Sequence, residues 1–101
     1  MSGKYTVRLL PVAEEDLDEI VAYVALDNLE AALKLAERIE SDLATLSSFP
    51  ELGRIPRDSD LREVGYRYLI VVNYLVFYTV EKRTVIVHRI LHGARDYKDL
   101  L

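Results

Sequence analysis

Apolar and polar positions change rhythm twice along this chain. Residues 4–10, KYTVRLL, set Tyr5, Val7 and Leu9 against Lys4, Thr6 and Arg8. Period-two alternation reads as a strand with one buried face. Pro11 ends it and suits the first position of a helix, where its missing N–H costs nothing. From residue 12 to 26 the spacing is helical: Leu17, Ile20, Val21 and Val24 fall at i, i+3, i+4 and i+7. Glu14, Glu15 and Asp16 are expected in the first turn, complementing the positive end of the helix dipole. LDNLEAA interrupts the stripe, and Asp27 with Glu30, or Asn28 alone, can cap a second helix. Ala32, Leu35, Ala36, Ile39, Leu43 and Leu46 form that helix's stripe. SSFPELGRIP stops it with Pro50, Gly53 and Pro56. Two amphipathic helices joined so briefly make an antiparallel hairpin.

Residues 54–63, RIPRDSDLRE, read as an irregular polar loop. Period two then returns in VGYRYLIV, YLVFYTV and TVIVHRIL, whose short connections predict adjacent antiparallel pairing. A tight hairpin needs positive φ, which a β-branched residue resists, so the turn at Val72–Asn73 is expected to be longer or distorted. EKR at 81–83 reads as a looser polar turn. Strict alternation puts Val85, Val87, Arg89 and Leu91 on one face of the last strand, and Ile86, His88, Ile90 and His92 on the other. Each stripe is interrupted by a polar residue, and one histidine is expected to be half-buried and hydrogen-bonded. Gly93 ends the strand, and ARDYKDLL suits a short tail or a turn or two of helix. The order strand, helix, helix, strand, strand, strand segregates the helices from the antiparallel strands. The fold class is α+β: an N-terminal strand, and a two-helix hairpin packed on a curved, mainly antiparallel sheet.

The chain's 101 residues suit a single domain, 1–101. Charged residues make up 30% and apolar ones 50%, a globular composition. There is no cysteine, hence no disulfide, thiolate metal site or thiol nucleophile, which fits a reducing cytoplasm. MSGKYTVRLL lacks the apolar run of a signal peptide, and YLIVVNYLVFYTV is too short to span a bilayer, so no membrane association is expected. The net charge of −4 is uneven. Residues 1–53 hold 4 Lys/Arg against 11 Asp/Glu, and residues 54–101 hold 9 against 6. Such a split suits either a solvated acidic hairpin or a second half that meets an acidic partner.

No metal or cofactor is expected. His88 and His92 lie four apart on a strand, about 13 Å along its axis, too far to share an ion. The four glycines are isolated and build no phosphate loop, and nothing resembles a nucleophile elbow. Arginine and tyrosine remain. Arg67 stands between Tyr66 and Tyr68, and Arg95 and Tyr97 follow the last strand. Guanidinium groups bind phosphate or carboxylate, and tyrosine rings stack on bases or fill cores.

GYRYLIVVNYLVFYTVEKRTVIVHRILHGARDYKDLL, after the acidic hairpin and FPELGRIP, resembles the RelE/ParE toxins of type II toxin–antitoxin modules. The resemblance covers nearly the whole chain and is most specific in NYLVFYTV and HRILHGARDYKDLL. It implies a small bacterial toxin and a cognate antitoxin that wraps and silences it. RelE-like members cut mRNA on the ribosome without metal, using cations on the sheet; ParE-like members inhibit DNA gyrase, with no reaction of their own implied. At the places judged to match the nuclease cations this sequence has Tyr66, Tyr68 and Leu75. The ParE-like branch, with DNA gyrase as target, is therefore favoured. A RelE-like ribosome-dependent nuclease would rest on Arg95, Tyr97, His92 and Arg67. A non-catalytic interaction module or an inactive relic is the third reading.

Overall fold

Alternation in the first ten residues becomes β1 (Thr6–Leu9), the first element of a computed structural model that describes residues 4–101. Pro11 opens α1 (Pro11–Asp27). Asn28 then takes an extended backbone and starts α2 (Leu29–Thr45), its side-chain oxygen accepting the Ala31 N–H at 3.0 Å. Of the two caps the sequence allows, Asn28 alone is the one formed. The remaining strands are β2 (Arg67–Val71), β3 (Tyr74–Glu81) and β4 (Thr84–His92), and Lys98–Leu100 make a 3₁₀ turn. The sheet order is β1-β4-β3-β2, antiparallel except that β1 runs parallel to β4. This is the α+β fold expected, with a mixed sheet.

The sheet is covered across its hairpin face and over the middle of the other, where Arg8, Thr84 and Ile86 line an open cleft beyond the cover. Against the hairpin lie Val71, Val76, Tyr78, Val85, Val87 and Ile90, packed with Ala13, Ile39, Leu43 and Leu46. On the opposite face Tyr66, Phe77 and Leu91 pack beneath Leu61, and Tyr97, Leu100 and Leu101 of the tail close over them. The tail is thus part of a second core.

Several local expectations are corrected. The run 54–63 is not all loop: Ser59–Val64 form a short helix, α3. Asp58 caps it by accepting the N–H groups of Asp60 (3.0 Å) and Leu61 (3.1 Å), and Gly65 ends it at φ 98°, a left-handed conformation that costs glycine little. Both hairpins are tighter than expected. Val71 pairs with Tyr74 and Glu81 with Thr84, leaving two-residue loops, with Val72 at φ 58° and Lys82 at φ 55°. Strict alternation along β4 also fails. Phe77 pairs with Arg89 but Tyr78 with Val87, so His88 is an extra residue in a β-bulge. Beyond it the faces exchange: Ile90 joins Val85 and Val87 against the hairpin, and Leu91 faces the tail. Because α1 begins at Pro11, only Glu14 of the three acids sits in its first turn, and Asp16 is buried.

Candidate functional site

Three adjoining clefts surround the tip of the hairpin. The last turns of α1 and the first of α2 stand over the β2–β3 turn there. A cleft of about 500 Å³ has Val24, Leu35, Val72 and Tyr74 as apolar lining, with Lys34 and Arg38 at its rim. A second, of about 250 Å³, lies on the other side of Tyr74 and is lined by Asp16, Glu19, Tyr23, His92 and Arg95. A third, at the hairpin tip, shares Tyr23 and Val24 with the other two. Tyr23 (75% exposed), Leu26 (88%) and Leu29 (64%) project from this end, an apolar display that a lone chain has no use for.

The four residues proposed for a nuclease do not converge. Arg95 is exposed and shares the second cleft with His92. His92 accepts the Ala94 N–H on Nδ1 at 3.1 Å, and its Nε2 meets the Asn73 side-chain amide at 3.1 Å. Arg67 lies on the hairpin face of β2. Its guanidinium donates to the carbonyls of Gly53 (3.0 Å) and Glu51 (3.3 Å) and stands 3.8 Å from the Glu51 carboxylate. Tyr97 lies on the opposite face, its ring centroid 4.7 Å from that of Phe77. It fills the second core and is not displayed beside Arg95.

His88 is the half-buried histidine. Its Nε2 lies 2.9 Å from Thr79 Oγ1 and its Nδ1 3.3 Å from Tyr66 Oη. Burial pushes its pKa below the usual histidine value, the Glu81 charge opposing that shift, so the ring is neutral at pH 7. Among the described residues no three His, Asp or Glu side chains gather as a metal ion would require.

Asp16 and Arg89 are the pair that sequence reasoning missed. The carboxylate accepts Nε at 2.7 Å and Nη2 at 2.9 Å, a two-pronged bond beside the second cleft. Both side chains are largely buried, 10% and 17% exposed. A signal existed. Asp16 falls between Ala13 and Ile20 at i+3 and i+4 spacing, on the apolar stripe, and Arg89 interrupts a strand stripe. Opposite charges that each interrupt an apolar face are candidates to meet.

Comparison with known proteins bears on all of this geometry. The family described as the ParE toxin of the type II toxin–antitoxin system parDE matches residues 7–97. Toxin ParE3 of Caulobacter vibrioides is 39% identical over 91 residues, covering 89% of this chain and 87% of that one. A chain of the chromosomal ParDE system from P. aeruginosa shares the fold with a TM-score of 0.71 at 24% identity, over 90% of this chain and 98% of that one. A chain of the toxin–antitoxin complex RelBE2 from Mycobacterium tuberculosis does so with a TM-score of 0.57 at 23% identity, over 91% and 94%.

Proposed function

The chain belongs to the ParE toxin family of type II toxin–antitoxin systems, and from that premise we propose that it inhibits DNA gyrase by contact, without a reaction of its own. We propose further that a cognate antitoxin silences it by lying in the groove between hairpin and sheet.

The observation that carries the gyrase reading is the covered face of the sheet. A metal-free nuclease needs several cations aimed at one phosphate, because its intermediate gains negative charge. The middle strands here offer Tyr68, Leu75 and Phe77 to that face, roofed by Tyr97, Leu100 and Leu101. Arg89 is committed to Asp16 and Arg67 to the 51–53 backbone. In the cleft that holds Arg95 and His92, the Asp16 carboxylate is already paired with Arg89, and Arg95 is the one arginine or lysine of the lining, where a phosphate intermediate needs several cations.

The groove supports the antitoxin reading. Val24, Leu35 and Tyr74 form its apolar floor, and Lys34, Arg38 and Arg95 stand toward its two ends. That suits an amphipathic segment with carboxylates at its margins. The structural relatives come from a ParDE system and from a toxin–antitoxin complex, which favours a partner of this kind.

The test is a pair of assays on the purified chain. The proposal expects loss of gyrase supercoiling, with cleaved plasmid trapped on the enzyme, while message stays intact in a translation mixture. Message cut at codon boundaries, with gyrase unaffected, would overturn it in favour of the ribosome-dependent nuclease. In that case Arg95→Ala should slow cleavage at least tenfold, about 1.4 kcal/mol of barrier. A chain that does neither and leaves growth unchanged is a relic.

A further inference from the structure

We propose that the loop 49–57 is the surface through which this chain meets its target, and that the target presents a protein strip of apolar side chains bordered by carboxylates. This rests on the reading of the chain as a toxin that acts on a protein.

Phe49, Leu52 and Ile55 recur at every third position and are 61%, 51% and 54% exposed. Between them Gly53 and Pro56 are buried. The loop therefore turns its small and cyclic residues inward and its large apolar ones to water. It is firmly pinned in that posture. The fully buried Tyr78 donates its hydroxyl to the Pro50 carbonyl at 2.8 Å and accepts the Gly53 N–H at 2.8 Å. Arg54 and Tyr68 exchange two backbone bonds, at 2.7 and 2.9 Å. A Cβ on Gly53 would stand 2.6 Å from the Tyr78 hydroxyl, so only glycine lets the loop approach this closely. Anchors held rigid before contact lose little entropy on binding, which is how a small patch gains affinity.

The charge around the patch specifies the partner. Arg54 and Arg57 are exposed, and among the described residues neither has a carboxylate within the 4.0 Å of an ion pair. The local acids are engaged elsewhere, Glu51 with Arg67, and Asp58 and Asp60 with Lys98. Two unbalanced guanidinium groups among three apolar anchors call for carboxylates around an apolar strip. Phe49 has a face on which a base could stack, but Leu52 and Ile55 have none, so two of the three anchors suit a protein surface. The loop also lies beyond the groove. It follows the end of α2, about 25 Å along the helix from the hairpin tip and about 10 Å past Arg38, the last groove residue on that helix.

The test uses Ile55→Asp and the double variant Arg54→Glu/Arg57→Glu, with Arg54→Lys/Arg57→Lys as the conservative control. All three should melt like the wild type and co-purify with the antitoxin from the neighbouring reading frame. The first two should need at least tenfold more protein to half-inhibit purified gyrase and should no longer slow growth, while the lysine variant stays active. Folded variants that inhibit within twofold of wild type overturn the proposal. If the wild type slows growth but leaves gyrase untouched, the gyrase reading fails, and growth then decides the loop: arrest retained overturns it, arrest lost supports it. Loss of message cleavage in the variants, with gyrase unaffected in the wild type, would assign the loop to nucleic acid and overturn the protein partner. A wild type with no effect on growth overturns both readings.

Discussion

Asp16 accepts a third hydrogen bond, from the Ile90 N–H at 3.0 Å, besides the two from Arg89. β1 accompanies β4 only as far as Val87, so the β4 edge beyond it lacks a strand partner, and the carboxylate supplies one. That hydrogen-bonded carboxylate also pushes the Arg89 pKa above its usual value. Asp16→Ala strands a half-hidden guanidinium and a backbone N–H together. We expect a loss of about 3 kcal/mol, the low end for breaking a buried pair because Arg89 keeps some contact with water. Urea unfolding at pH 7 measures it. Asp16→Ala with Arg89→Met should recover most of that loss, since no charge is then left without a partner. His88 gives a pH signature. Its folded pKa is depressed from 6.5, so as pH falls the unfolded chain takes up the proton first. Stability from this residue is complete above pH 6.5 and declines as the pH drops below it. His88→Gln should flatten the stability profile between pH 7 and 5.5. The Asp58 carboxylate, held below its usual 3.8 chiefly by its hydrogen bond from Lys98, titrates in a separate, more acid window.

At the scale of elements, the β2–β3 turn places a β-branched side chain where φ is 58°, at Val72. Such a residue in the left-handed region costs on the order of 1 kcal/mol. Val72 is 60% exposed, so packing does not repay that strain. Val72→Asn, which tolerates this conformation without glycine's added freedom in the unfolded chain, is expected to raise stability by about 1 kcal/mol in urea unfolding. It should also weaken the antitoxin complex, because Val72 lines the groove. A variant that is no more stable than wild type would show that the strain is relieved by contacts around the turn. This turn also marks how far the sequence could be read. The helices and the pairing of β2, β3 and β4 were legible because long periodic stripes average over single exceptions. The turn itself was misjudged because strand pairing on both sides overrode the local preference of valine. α3 was missed because six residues carry too little periodicity, although Asp58 and Gly65 already stood at its two ends as capping signals. The bulge left no mark at all: one extra residue, His88, reverses every later side chain, and composition does not change when it does. Of the candidate residues, Arg95 and His92 line one cleft, while Tyr97 packs on Phe77, a placement the sequence left open because a tail tyrosine looks alike whether it faces water or a core.

At the scale of the molecule, apolar side chains among the described residues reach the surface together at the hairpin tip, in the groove and on the loop 49–57. The acidic excess of residues 1–53 lies on the hairpin helices, while the groove ends and the loop carry arginine and lysine. An acidic antitoxin segment would thus be drawn past the hairpin toward the groove ends. Tyr23 offers the cleanest measure of that docking. It is 75% exposed, lines two of the three clefts and makes no hydrogen bond among the described residues, so Tyr23→Ala should leave folding unchanged. Aromatic anchors at an interface centre commonly dominate binding, and we expect at least a tenfold loss of antitoxin affinity, about 1.4 kcal/mol. Linkage makes the same loss visible in melting. An antitoxin at a thousandfold its Kd stabilises the folded toxin by about 4 kcal/mol. With Tyr23→Ala at the same concentration the stabilisation should fall to about 2.7 kcal/mol. An antitoxin that stabilises both chains equally would place its docking surface away from Tyr23 and the two clefts it lines.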